Sequence, residues 1–170
     1  MEFYTENLHI RPFRPEDQEA MLDLLTNDVV KQTYILPDFE DREAAKPLFQ
    51  RIMASSQDPE RYVSAICLGE QCIGMVNDTE MKGDAVEMGY AILPAFHNRG
   101  YCTEMLKGAI QYLHAHGFPR VLTAAFECNP ASLRVMQKSG MQRIDLTEEL
   151  TYRGRTHLCI YYCAQREEKL

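Results

Sequence analysis

Long apolar runs are missing from this chain of 170 residues. No stretch approaches the roughly 20 apolar residues that a membrane-spanning helix needs, and the first residues, MEFYTENLHIRPF, lack a secretory-signal pattern. A cytoplasmic protein without a membrane partner is expected. Positive charge is also scarce: 18 Lys and Arg stand against 25 Asp and Glu, a formal net charge of −7. That balance argues against nucleic acid held on a broad basic surface. It would draw in a basic or amine substrate, and it equally serves plain solubility. The six cysteines, Cys67, Cys72, Cys102, Cys128, Cys159 and Cys163, form no Cys-x-x-Cys pair, so neither zinc nor thioredoxin-like chemistry is expected, and the thiols read as buried and free. His97, His114 and His116 do not converge with a carboxylate at ligand spacing, and no metal is expected. No Gly-x-x-x-x-Gly-Lys-Ser/Thr appears, which excludes a P-loop hydrolase, and the strand-rich first half does not read as a dinucleotide-binding βαβ unit. With no repeat, low-complexity tract or linker, the length fits one domain, 1–170.

What is present centres on Val86 to Ile110, VEMGYAILPAFHNRGYCTEMLKGAI. An apolar strand breaks at Pro94, passes through a polar turn ending at Gly100, and becomes a helix with Met105, Leu106, Ala109, Ile110 and Leu113 on one face. A strand–loop–helix of this kind points unpaired amides and the positive end of the helix dipole at one spot, which suits a phosphate. Gly100 allows close approach to the backbone, Arg99 adds a positive charge, Asn98 is a short polar turn former, Thr103 is a possible helix cap, and Glu104 favours a first turn. Spacing alone fits an ordinary β–α turn as well.

The remaining chain alternates in the same two periods. A strand is expected over 8–13, a helix from Pro15 to about Asn27 on Ala20, Met21, Leu24 and Leu25, a short helical stretch near Val29, and a loop over 34–39. Asp41 would cap a helix on Ala44, Ala45, Leu48, Phe49, Ile52 and Met53, with Pro47 kinking it or marking its true start. Strands are expected over 61–68, 71–80 and 85–93, a helix to about His116 capped by Gly117, a strand over 120–126, a helix over 131–138, and strands over 141–150 and 156–164 before a frayed tail, 165–170. This is α/β, with a mixed, mostly antiparallel central sheet flanked by helices.

The segment PAFHNRGYCTEML resembles the acyl-coenzyme A pyrophosphate loop of the GNAT N-acetyltransferases, in particular the branch of the ribosomal-protein (RimJ/RimL-type) N-terminal acetyltransferases. Glu87-Met88-Gly89-Tyr90, Pro94, Arg99-Gly100-Tyr101 and Thr103-Glu104 follow that branch's pattern; His97, Asn98 and Cys102 depart from it. A second segment, ECNPASLRVMQKSGM, matches at Asn129, Ser132 and Gly140. The resemblance covers nearly the whole chain and implies the GNAT fold, with acetyl-CoA as co-substrate and an amine as acceptor.

It also implies roles. Backbone amides from His97 through Asn98, Arg99, Gly100, Tyr101 and Cys102 to Thr103 would hold the pyrophosphate, and Tyr90, Ala91 and Ile92 would pair with the pantetheine arm. Asn129 would contact that arm while capping its helix. Glu87 would be the base, with Glu127 its rival, because an amine of lysine-like pKa, about 10.4, is mostly protonated near neutrality. Ser132 stands where relatives carry a tyrosine acid, and would protonate the thiolate or orient a water. Tyr34 and Phe39 either line the acceptor cleft or pack. Cys102 is either a packing residue or an acyl acceptor. Ile160-Tyr161-Tyr162 either supports a dimer or completes the core, leaving monomer or homodimer open. The alternative reading is a non-catalytic acyl-CoA sensor or partner-binding domain that keeps the donor loop.

Overall fold

The computed structural model describes residues 1–166. The frayed tail expected over 165–170 therefore lies, from residue 167, outside the described residues. Within the described residues eight strands form one sheet: β1 (Phe3–Tyr4), β2 (Leu8–Arg11), β3 (Ser64–Leu68), β4 (Gln71–Lys82), β5 (Ala85–Ile92), β6 (Arg120–Phe126), β7 (Gln142–Tyr152) and β8 (Arg155–Gln165), in the order β1-β2-β3-β4-β5-β6-β8-β7. β5 and β6 run parallel, while β1–β2, β2–β3, β3–β4, β6–β8 and β7–β8 are antiparallel. Among the described residues, four α-helices flank the sheet: α1 (Gln18–Leu25), α2 (Arg42–Ser56), α3 (Tyr101–Ala115) and α4 (Pro130–Lys138). The mixed, mostly antiparallel α/β architecture expected from the sequence is thus present.

The chain divides into two compact units. The first, Met1–Asn77 with Tyr90–Met105, has a core of fully buried side chains that includes Phe13, Met21, Leu24, Leu25 and Phe49. Phe13 and Phe49 meet edge to face, ring centroids 6.0 Å apart. Asp41 caps α2 as expected, its carboxylate accepting from the Ala44 amide at 2.9 Å. Pro47 does not mark the start of α2, which begins at Arg42 and runs through the proline in its second turn. A buried pair, Arg11 and Asp17, joined at 2.7 and 2.9 Å, anchors the 3-10 turn Pro15–Asp17 ahead of α1. Tyr34 and Phe39 pack against this core, and the Tyr34 hydroxyl donates to Asn77 at 2.6 Å. Of the two roles open for these aromatics, packing is the one observed.

The second unit comprises Asp78–Gly89 and the described chain from Leu106 on. Strand alternation gives its part of the sheet two faces. Tyr162, whose hydroxyl accepts from Gln137 at 2.9 Å, marks the α4 side. Phe126, Cys159 and Tyr161 form a buried cluster on the other. Ile160, Tyr161 and Tyr162 are all buried, and β8 lies between β6 and β7, so this stretch completes the core and is not an exposed aromatic strand. The five apolar positions expected on α3 are all buried.

Candidate active site

Within the first unit, β5 ends at Ile92, a 3-10 turn follows over Pro94–Phe96, and α3 starts at Tyr101. Asn98 and Gly100 both adopt left-handed backbone, φ 60° and 87°, and these two reversals turn an extended chain into the helix within a few residues. The first bond of the α3 ladder runs from the Glu104 amide to the Gly100 carbonyl at 3.0 Å, so the helix begins three residues before a Thr103 cap would place it. Gly100 takes the cap position instead. The amides of the first turn of such a helix emerge at its end, beside the exposed residues 97–100. Arg99 lies over the Phe96 ring, 5.9 Å from its centroid, which keeps a positive charge at the loop.

His97 departs from its expected part. Its amide donates to the Pro94 carbonyl at 3.1 Å to close the 3-10 turn, so it is engaged within the chain. Its Nε2 lies 3.0 Å from the Ile92 carbonyl, which can only accept; the ring therefore donates and ties the loop to the end of β5. Neither its amide nor its ring donor is left to face a ligand.

Two supports were not visible in the sequence. Glu104 accepts from Thr5 Oγ1 at 2.5 Å, the Asn7 amide at 2.7 Å and Asn7 Nδ2 at 3.0 Å, fastening the first turn of α3 to the turn between β1 and β2. Burial alone would raise the Glu104 carboxyl, but these accepted hydrogen bonds outweigh it and hold its pKa below the ordinary 4.5. A depressed carboxyl stabilises the fold above its unfolded pKa, and the contribution is lost as pH falls through the lower folded value. Glu104→Gln should therefore melt below the wild type near pH 7, and the two melting points should converge as pH falls through the lowered folded value.

The other support is Gly74 on β4. A Cβ there would lie 2.3 Å from the Ala91 carbonyl oxygen and 2.8 Å from Ile92 Cα. Only glycine lets β4 approach β5 this closely, and the Leu93 amide donating to the Ile73 carbonyl at 2.8 Å holds the approach. Because the obstructing atoms are backbone, Gly74→Ala should cost about 3 kcal/mol in chemical denaturation, at the upper end of overpacking costs.

In the second unit, Glu87 is half-buried on β5, and the parallel register with β6 ends at its own pair, Glu87↔Leu122, five residues before β5 does. Burial raises the Glu87 carboxyl, the nearby Glu80 and Glu148 charges raise it further, and hydrogen bonding from Thr79 opposes them. Glu148 accepts from the Tyr161 hydroxyl at 2.9 Å. The rival Glu127 lies on an exposed turn whose amide donates to the Leu158 carbonyl at 2.8 Å. Asn129 caps α4, its Oδ1 accepting from the Ser132 amide at 3.2 Å, so Ser132 stands in the first turn of that helix.

The thiols depart from the uniform burial expected. Cys67, Cys72 and Cys159 are buried, Cys102 and Cys163 half-buried, and Cys128 exposed. Burial pushes the Cys102 thiol up to about 12, which suits a packing residue and not an acyl acceptor. Among the described residues, no group of three or more His, Cys, Asp or Glu lies placed to hold a metal ion, and no helix is long and apolar enough to cross a membrane.

The acetyltransferase (GNAT) domain model matches residues 7–142. The uncharacterised N-acetyltransferase YoaA of Bacillus subtilis (strain 168) is 27% identical over 157 residues, 89% of each chain. A GNAT-family acetyltransferase structure from Bacillus anthracis superposes with a TM-score of 0.85 at 22% identity, covering 99% of this chain and 100% of that one. The structure of RimL, a ribosomal L7/L12 α-N-protein acetyltransferase in complex with coenzyme A, superposes with a TM-score of 0.81 at 16% identity, covering 95% and 96%.

Proposed function

As the chain belongs to the GNAT acetyltransferase family, we propose that residues 1–170 work as one domain that transfers the acetyl group of acetyl-CoA directly to a primary amine, either a protein N-terminus or a small-molecule amine. The observation that carries this reading is the left-handed pair Asn98 and Gly100, set between β5 and the 15-residue α3. Two reversals at the head of a long helix make a concave row of amides with the dipole behind it, which is the physical requirement for a pyrophosphate. The coenzyme A in the RimL complex supports the same co-substrate and the RimJ/RimL-type branch.

Asn98, Arg99, Gly100, Tyr101, Cys102 and Thr103 would cradle the pyrophosphate, and His97 would hold that cradle to the strand. Tyr90, Ala91 and Ile92 would run beside the pantetheine arm, where β5 continues past its register with β6. Asn129 would offer its Nδ2 hydrogens to the arm, since its Oδ1 caps α4. Glu87, directly or through a water, would take the proton from the ammonium so that the nitrogen can attack the thioester carbonyl. The C–N bond forms, the C–S bond breaks, and the departing thiolate takes a proton from Ser132 or a water that Ser132 orients, which is made good by the second proton that the nitrogen sheds on becoming an amide. The reading includes a cytoplasmic location, monomer or homodimer, and no metal, nucleic-acid or membrane partner.

Thermal unfolding with and without acetyl-CoA, followed by a thiol-release screen over amines and peptides, tests it. A raised midpoint with thiol release on one amine class is the expected result. A raised midpoint without turnover on any amine would favour the acyl-CoA sensor, and no shift would overturn the donor site.

A further inference from the structure

Cys128 is the exposed member among the six cysteines. It sits in the turn between β6 and α4, which the Asn129 amide closes on the Phe126 carbonyl at 2.8 Å and the Glu127 amide ties to Leu158 on β8 at 2.8 Å. Its Sγ lies 3.8 Å from Nδ1 of His157, also on β8. The imidazole does not hang free: it stacks on the buried ring of Phe126, centroids 4.2 Å apart and planes 14° from parallel. A nucleophile at the surface, a base within reach of it, and a third group that fixes the base is the arrangement by which thiols are activated. Nothing in the direct transfer to an amine uses these residues.

We propose that Cys128 and His157 form a thiol–imidazole pair that accepts an acyl group from a thioester, making Cys128 a self-acylation site. The choice of thioester rests on the acetyl-CoA reading; the chemistry of the pair does not. Nδ1 of a neutral His157, protonated on Nε2, takes the proton of the Cys128 thiol. The thiolate sulfur attacks the thioester carbonyl carbon, and a new C–S bond forms as the old one breaks. The leaving thiolate recovers the proton from His157. One thioester replaces another, so the step needs no oxidant, reductant or further reactant.

The test uses the full-length protein with two donors, acetyl-CoA and the small thioester S-acetyl-N-acetylcysteamine, which carries no nucleotide. Peptide mass mapping should find one acetyl group on Cys128 that neutral hydroxylamine removes. The label should be absent in Cys128→Ser and should form on the order of tenfold more slowly in His157→Gln. Labelling by the small thioester with this His157 dependence supports the pair, even if acetyl-CoA fails to raise the melting point and the donor-site reading falls. A melting shift with acetyl-CoA but no label on Cys128 from either donor overturns the pair and leaves the donor site standing. Labelling of His157→Gln at the wild-type rate also overturns it.

Discussion

Gly100→Asp should remove measurable acetyl-CoA binding, with a loss on the order of a hundredfold or more in affinity by titration calorimetry. Two effects add. At φ 87° the backbone sits where an L residue costs roughly 1–2 kcal/mol, and the carboxylate places negative charge among amides proposed to hold a pyrophosphate. A Cβ at this position meets nothing within 4 Å, so crowding within the free protein is not the cause. Gly100→Ala separates the two: it carries the strain without the charge and should keep most of the affinity. An unaltered affinity in the aspartate variant would show that the ligand is held elsewhere.

Glu87→Gln should lower kcat by about 10² to 10⁴ while donor affinity stays near wild type. Because burial and the neighbouring Glu80 and Glu148 raise the Glu87 carboxyl above its ordinary 4.5, the wild-type rate should fall as pH drops through that raised value, where the base becomes protonated. The same shift works against stability in the opposite direction. A carboxyl with a raised folded pKa favours folding most at low pH, and that contribution disappears as pH climbs through the folded value. The amide variant should therefore lose the acid limb of the rate profile, and be at least as stable as the wild type near neutrality. Wild-type turnover with an unchanged acid limb would remove Glu87 as the base and turn attention to Glu127.

Local chemistry made most of the architecture legible. The apolar periodicity of α3, the Asp41 and Asn129 caps, and the glycine turns each act within a few residues, and each element they predict is present. The two-residue β1 was missed because so short a strand has no period to detect. The 3-10 turn Pro94–Phe96 was missed as well, and with it the engagement of the His97 amide. Gly74 reads as an ordinary strand glycine; its necessity depends on how closely another strand passes, which no local pattern encodes. Strand alternation shows which face a residue takes within its own strand, but the partnership of Tyr161 with Glu148 and of His157 with Cys128 depends on register across neighbouring strands.

The bonds from Thr5 and Asn7 to Glu104 join residues 99 and 97 positions apart. During synthesis the turn between β1 and β2 therefore emerges long before the carboxylate that completes it, and the head of α3 cannot be fastened until most of the chain exists. Closing so long a loop is entropically costly, though the cost grows only slowly with length. The proposed donor cradle should thus be among the last parts of its unit to order during folding, and pulsed hydrogen exchange should protect the amides of α2 before that of Glu104, the first hydrogen-bonded amide of α3.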